Sequence, residues 1–214
     1  MSAAMIRNGL QNRVSADGSI HAIPSRGLMM GNRGRIHDPQ TQSLLNRRWA
    51  TKAWIICVTD FRGRHREVMG NSYTELFFLD EVTALAAGHR PCFECRRKAA
   101  ITFRDLCAAT QGLSDPPRAA DIDTALHNER LLNRGKRLHL RPRSALPDGT
   151  VVALEGKYYA LRDSEVLAWD FSGYSPANLS VDTLPDQVDV LTPPLSLAAL
   201  SRGYQPLWHE TATI

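Results

Sequence analysis

The clearest alternation of apolar and polar positions lies at Lys52–Phe61, KAWIICVTDF. There Trp54, Ile56, Val58 and Asp60 alternate with Ile55, Cys57 and Thr59. A period of two predicts a strand. Arg62-Gly63 is a turn signal, so Arg64–Met69 reads as the returning strand of a hairpin. Tyr73–Leu79, YTELFFL, predicts a second strand. Asp80 is then a good N-cap for a helix over Glu81–Ala87, with Gly88 at the C′ position and Pro91 just beyond. Another helix opens at about Cys95 and runs to about Ala109, with Ala99, Phe103, Leu106 and Ala109 on its buried face.

On either side the pattern changes. Residues 1–23 show no period and read as weakly ordered. Pro24–Arg35, PSRGLMMGNRGR, reads as a structured loop, because three glycines fall between Gly27 and Gly34. Thr110–Arg118 is the clearest linker, and a helix follows around Ile122–Asn133, stopped by Gly135. From Leu138 onward short β-like runs at Thr150–Leu154, Lys157–Leu161, Val166–Trp169 and Val188–Leu191 alternate with Pro-Asp-Gly, Glu-Gly and Asp-Ser turns. They predict a small antiparallel sheet, and Leu195–Ser201 predicts a short closing helix. The expected organisation is α+β: a module over 24–110, a linker and helix over 111–137, and a small β domain over 138–214.

Composition narrows the function classes. A chain of 214 residues with 43% hydrophobic and 22% charged residues can bury a core. The longest strongly apolar run, Ala53–Val58, is too short to span a bilayer, and no secretory h-region precedes it. A cytoplasmic protein without a membrane segment is the expectation. The net charge of +4 is unevenly spread. Residues 1–107 carry 16 Lys and Arg against 9 Asp and Glu, while residues 108–214 carry 10 against 13. Arginine dominates the basic half, which suits phosphate recognition.

Cys92-Phe93-Glu94-Cys95 is the motif with the most specific chemistry. Two intervening residues let both sulfurs bind one tetrahedral metal through a tight backbone knuckle. A helix start and neighbouring Arg90, Arg96 and Arg97 favour thiolates. The same spacing also fits a redox dithiol, which wants a thioredoxin-like βαβ context, or two inert buried thiols.

The stretch FFLDEVTALAAGHRPCFECRR resembles the metal-binding domain of the Ada-type bacterial alkylation-response proteins. The likeness covers Tyr73–Arg97: an aromatic strand, an Ala-rich helix with AAG, then Arg-Pro and the cysteine pair. It implies a structural Zn2+ in a small, treble-clef-like α+β unit and, with it, DNA contact. The family has a further Cys-x3-Cys pair before the strand. Here an ungapped count puts Phe61 and His65 at those places, and Phe61 cannot accept a methyl group. Similar modules appended to some bacterial nucleases and competence-type proteins instead use a strand ending in His, then a Cys, and His37 followed by Cys57 would match that order with a long insertion between them.

The candidate ligands are therefore Cys92, Cys95, Cys57 and His37, with His65 as the alternative to His37. Asp38 beside His37 would suit a metal-bound imidazole. Cys107, four residues after Phe103, is expected to be packing. Arg62, Arg64, Arg66, Arg96, Arg97, Lys98, Arg33 and Arg35 form the expected nucleic-acid contacts, with Trp49, Trp54 and Tyr73 as stacking platforms. Asp123, His127 and Arg130 share a helix face and read as a surface cluster. The leading expectation is a zinc-stabilised nucleic-acid-binding protein. The alternative is a zinc-supported enzyme on DNA or RNA, a nuclease or repair protein, with its active site near Asn32–Asp38. A closed four-ligand site favours the first and an open position the second.

Overall fold

The alternating run at Lys52–Phe61 does form a strand, but its pairing partners are not the ones the turn at Arg62-Gly63 suggests. The computed structural model describes residues 9–64 and 67–213. The first half contains β1 (Arg13–Val14), β2 (Ile20–His21), β3 (Met29–Asn32), β4 (Ile55–Val58), β5 (Leu76–Phe78), α1 (Glu81–Ala86), β6 (Arg90–Pro91) and α2 (Arg97–Gln111). The second contains α3 (Ala119–Arg130), the ribbon β7 (Leu131–Leu132) and β8 (Gly135–Lys136), then β9 (His139–Pro142), β10 (Val151–Leu154), β11 (Lys157–Arg162), β12 (Glu165–Asp170), β13 (Gly173–Ser180), β14 (Gln187–Val190) and α4 (Pro194–Ser201). The α+β class and the small antiparallel sheet are as expected.

The first sheet runs β2-β1-β5-β3-β4-β6. Its centre, β3, comes from the Gly/Arg segment expected as a loop. Met29–Asn32 lacks β-branched residues, so its strand character was hidden. Gly31 is required there: a Cβ would lie 2.3 Å from the carbonyl oxygen of Ile55. β3 pairs antiparallel with β4 through Met30↔Cys57 and Asn32↔Ile55, and with β5 through Met30↔Phe77. The expected hairpin strand at 64–69 is absent among the described residues; Val68 and Met69 lie in a turn, and Arg62 and Met69 stand at positive φ. The N-terminal segment expected to be weakly ordered supplies β1 and β2, and β1 runs parallel beside β5.

α1 begins where the sequence said it would, because the Asp80 carboxylate accepts from the Thr83 N–H at 2.8 Å. α2 starts at Arg97, two residues later than expected, so both cysteines of the CxxC lie on the turn before it. Its buried face is Ala100, Phe103, Cys107 and Ala108, one step round from the expected stripe.

The second sheet runs β13-β12-β11-β10-β14-β9, antiparallel throughout. The two sheets are not separated by an independent linker. Val14, Leu76, Phe78 and Phe103 share one core with Ile122, Leu126, Leu195 and Tyr204. Leu79, Val82 and Ala86 share another with Val151, Ala160 and Leu167.

Candidate metal centre and its pocket

Three thiols from two distant segments meet at one end of the first sheet. Cys57 leaves β4 on the face it shares with Met30 and, one strand further, Phe77. The parallel pairing of β6 with β4, closed by the Cys92 N–H to the Ile56 carbonyl at 2.9 Å, brings the CFEC turn alongside. The ligand atoms of Cys57, Cys92 and Cys95 all lie within 4.8 Å of one another. A tetrahedral ion with sulfur bonds of about 2.3 Å needs sulfurs about 3.8 Å apart, so this group could hold one. All four cysteines are free thiols. Three soft donors suit zinc over a hard cation.

The local electrostatics favour the thiolate at one of the three sulfurs. Cys57 donates to Cys92, which draws the Cys92 thiol down to about 5 against the cost of burial. The N–H groups of Glu94, at 3.4 Å, and Cys95 also point at Cys92 Sγ. Cys57 is pushed up by donating to Cys92 and by burial, and burial pushes Cys95 up. Cys107 lies in the core, its thiol pushed up to about 12 by burial, and takes no part.

His37 does not join this group. It is buried, with Nδ1 2.6 Å from Thr74 Oγ1 and Nε2 2.7 Å from the Gly70 carbonyl. Both ring nitrogens are spent tying the 34–38 segment to the 70–74 segment. His65, the other histidine candidate, and Arg66 lie outside the described residues.

The three cysteines open onto a cavity of about 210 Å³. Met30, Ile55, Val58, Phe61, Val68 and Phe77 wall it, and Asn32, Thr59, Tyr73 and Glu75 add polar groups. Glu75 was not anticipated. It is buried, its Oε2 accepts from the Met69 N–H at 2.8 Å, and its buried Oε1 has no partner among the described residues. The signal was present: a carboxylate at the Phe77 parity of the apolar run YTELFFL.

The expected phosphate contacts divide. Arg62, Arg64, Arg97, Lys98 and Arg35 are exposed. Arg64 stands at the mouth of the cysteine cavity and pairs with Glu94 at 2.8 Å. Arg35 borders a separate depression with His37 and Arg47. Arg33 and Arg96 are corrections. Arg33 is 2% exposed, stacked 3.9 Å from the Trp54 ring. Arg96 pairs with buried Glu81. Trp54 is likewise interior. Asp123 belongs to a buried bidentate pair with Arg90, both contacts 2.8 Å, so that helix face is no surface cluster. Among the described residues, no helix is long and apolar enough to cross a membrane.

No family model matches this chain, and neither a curated protein nor a solved structure matches it.

Proposed function

We propose that this protein is a zinc-dependent enzyme acting on a nucleic acid or nucleotide, with Cys57, Cys92 and Cys95 as the ligands of the ion. The observation that carries this reading is that the three thiols and the half-satisfied carboxylate of Glu75 line one cavity. Structural zinc sites are closed by four protein ligands, whereas catalytic ones keep a position open to a pocket. Cys57, Cys92 and Cys95 would hold the ion, which would supply Lewis acidity to a water or an electrophile in the cavity. Glu75 Oε1 is the group that takes or returns the proton, and Oε2 is pinned by Met69 so that it cannot turn away. Asn32, on the same face of the sheet, orients the substrate, and the apolar walls exclude competing water. The volume admits one ring-sized group rather than a duplex. The exposed Arg62, Arg64, Arg97 and Lys98 favour an anionic chain outside the pocket.

Those same exposed cations favour the second reading, a nucleic-acid-binding module whose zinc is structural. Cobalt substitution separates the two. Under the enzyme reading, the visible bands of the Co2+ protein shift when azide or a small thiol is added, because an exchangeable position exists. Unshifted bands reject it in favour of a closed structural site.

A further inference from the structure

The sheet that carries the cysteine cavity borders a second cavity through the residues that flank the ends of β3 and β4. Asn32 and Ile55 line the first; Arg33 and Trp54 line the second, as the alternation of side chains requires. This second cavity measures about 290 Å³. Its lining carries Arg33, Arg48, Arg130, Arg134 and Lys136 against one carboxylate, Asp17.

Two of those cations, Arg33 and Arg130, lie inside the fold, and a third, Lys136, is half-buried beside them. The guanidinium carbons of Arg33 and Arg130 each sit 3.9 Å from the Trp54 ring centroid. Arg33 is 2% exposed and Arg130 1%. Arg33 donates to His89 Nε2 at 3.3 Å and to the Gly18 carbonyl at 3.0 Å. Arg130 donates to the carbonyls of Gly88 and Lys52, at 2.9 and 2.8 Å, while its buried Nε has no partner among the described residues. The Lys136 ammonium donates to the Ala86 carbonyl. The placement of Arg130 is built in: Gly88, at φ +88, leaves room for its stem, since a Cβ there would lie 2.6 Å from the Arg130 Cδ.

Elsewhere this protein pairs its buried arginines, Arg90 with Asp123 and Arg96 with Glu81. Among the described residues none of Arg33, Arg130 and Lys136 has a carboxylate within ion-pair distance. Asp17 is occupied by Ser15 and Ser19. Burial accordingly pushes Arg33 and Arg130 down to about 9 and Lys136 to about 7. Carbonyl oxygens and an aromatic face relieve buried cations only in part. An anion in the cavity would complete them.

We infer that this cavity is a binding site for a phosphate monoester, its phosphoryl group held by Arg33, Arg130 and Lys136. Arg48 and Arg134 guide it in, and the half-buried Trp49 offers a stacking face to a planar group on the ester. The inference does not depend on the cysteine cavity or its metal.

Calorimetry on the full chain tests it with inorganic phosphate, adenosine monophosphate and adenosine as probes. Adenosine monophosphate should bind in the submillimolar range and raise the unfolding temperature, and adenosine should not bind. Inorganic phosphate binding at comparable strength assigns the affinity to the phosphoryl group; binding much weaker than the monoester assigns a share to Trp49. Lys136→Gln and the rim change Arg134→Gln should weaken monoester binding, the first by about tenfold or more, equivalent to about 1.4 kcal/mol. Both positions tolerate substitution better than Arg33, so folded variants remain available. A folded protein that binds no phosphate compound at millimolar concentration overturns the inference, as does unchanged binding in Lys136→Gln.

Discussion

Arg96 and Glu81 form a bidentate ion pair inside the protein, with contacts of 2.6 and 2.7 Å. Glu81 is fully buried at the first turn of α1, and it also accepts from Tyr204 Oη at 2.6 Å and the Leu207 N–H at 2.9 Å. Burial works against the Arg96 charge, and Glu81 outweighs it, so the guanidinium is held more firmly protonated than usual. One carboxylate thus joins the turn after the CxxC to the C-terminal tail. Removing one partner of a buried pair leaves the other uncompensated. Arg96→Ala should lose about 3–5 kcal/mol in urea unfolding. A loss below about 1 kcal/mol would place Arg96 among ordinary surface pairs.

Protein purified without chelator should carry about one zinc per chain. Cys57→Ala, Cys92→Ala and Cys95→Ala should each release it. Cys107→Ala should keep the metal and cost roughly 1 kcal/mol of packing. Metal analysis beside thermal unfolding checks both, and equal metal loss in the Cys107 variant contradicts the assignment.

Metal uptake should depend on pH with a definite sign. Cys92, held down to about 5, is a thiolate at pH 7, whereas Cys57 and Cys95 are pushed up and keep their protons. Binding at neutral pH therefore releases about two protons, and log affinity should rise by roughly two per pH unit. Acidification through the Cys92 value adds a third competing proton and weakens binding further. Calorimetry in buffers of different ionisation enthalpy counts the protons.

His37→Ala should leave the metal in place and destabilise the fold by about 1–3 kcal/mol, because Thr74 and the Gly70 carbonyl lose buried partners. His65→Ala should also retain metal if the fourth position is open, and its Co2+ derivative should keep responding to azide. Metal loss on His65→Ala would support the closed, structural site.

Glu75→Gln should preserve metal content and folding but abolish turnover of any substrate found, since an amide cannot accept the proton. Full activity in that variant would remove Glu75 from the chemistry.

Arg62→Ala with Arg64→Ala should lower the slope of log affinity against log salt for duplex DNA by about two. Arg33→Ala should instead unfold or destabilise, because that guanidinium is stacked on Trp54 inside the protein.

Much of this protein follows from local pattern. The cap at Asp80, the stop at Gly88, the CxxC knuckle, the packing role of Cys107 and the turns of the second sheet are written in short windows, because caps, turns and ligand spacing depend on neighbours a few residues away. What local pattern could not decide was pairing over distance. β3 has no strand propensity of its own and exists because β4 and β5 need a partner narrow enough at Gly31. Cys57 meets Cys92 and Cys95 because β6 lies parallel to β4, and His37 stays apart because Thr74 and Gly70 occupy its nitrogens. Arginine showed the same division most plainly. The sequence alone determined that the first half is rich in guanidinium groups. Only the tertiary structure decided which of them meet solvent, which meet Glu81 or Asp123, and which surround a cavity, since a charge takes its role from what burial places beside it.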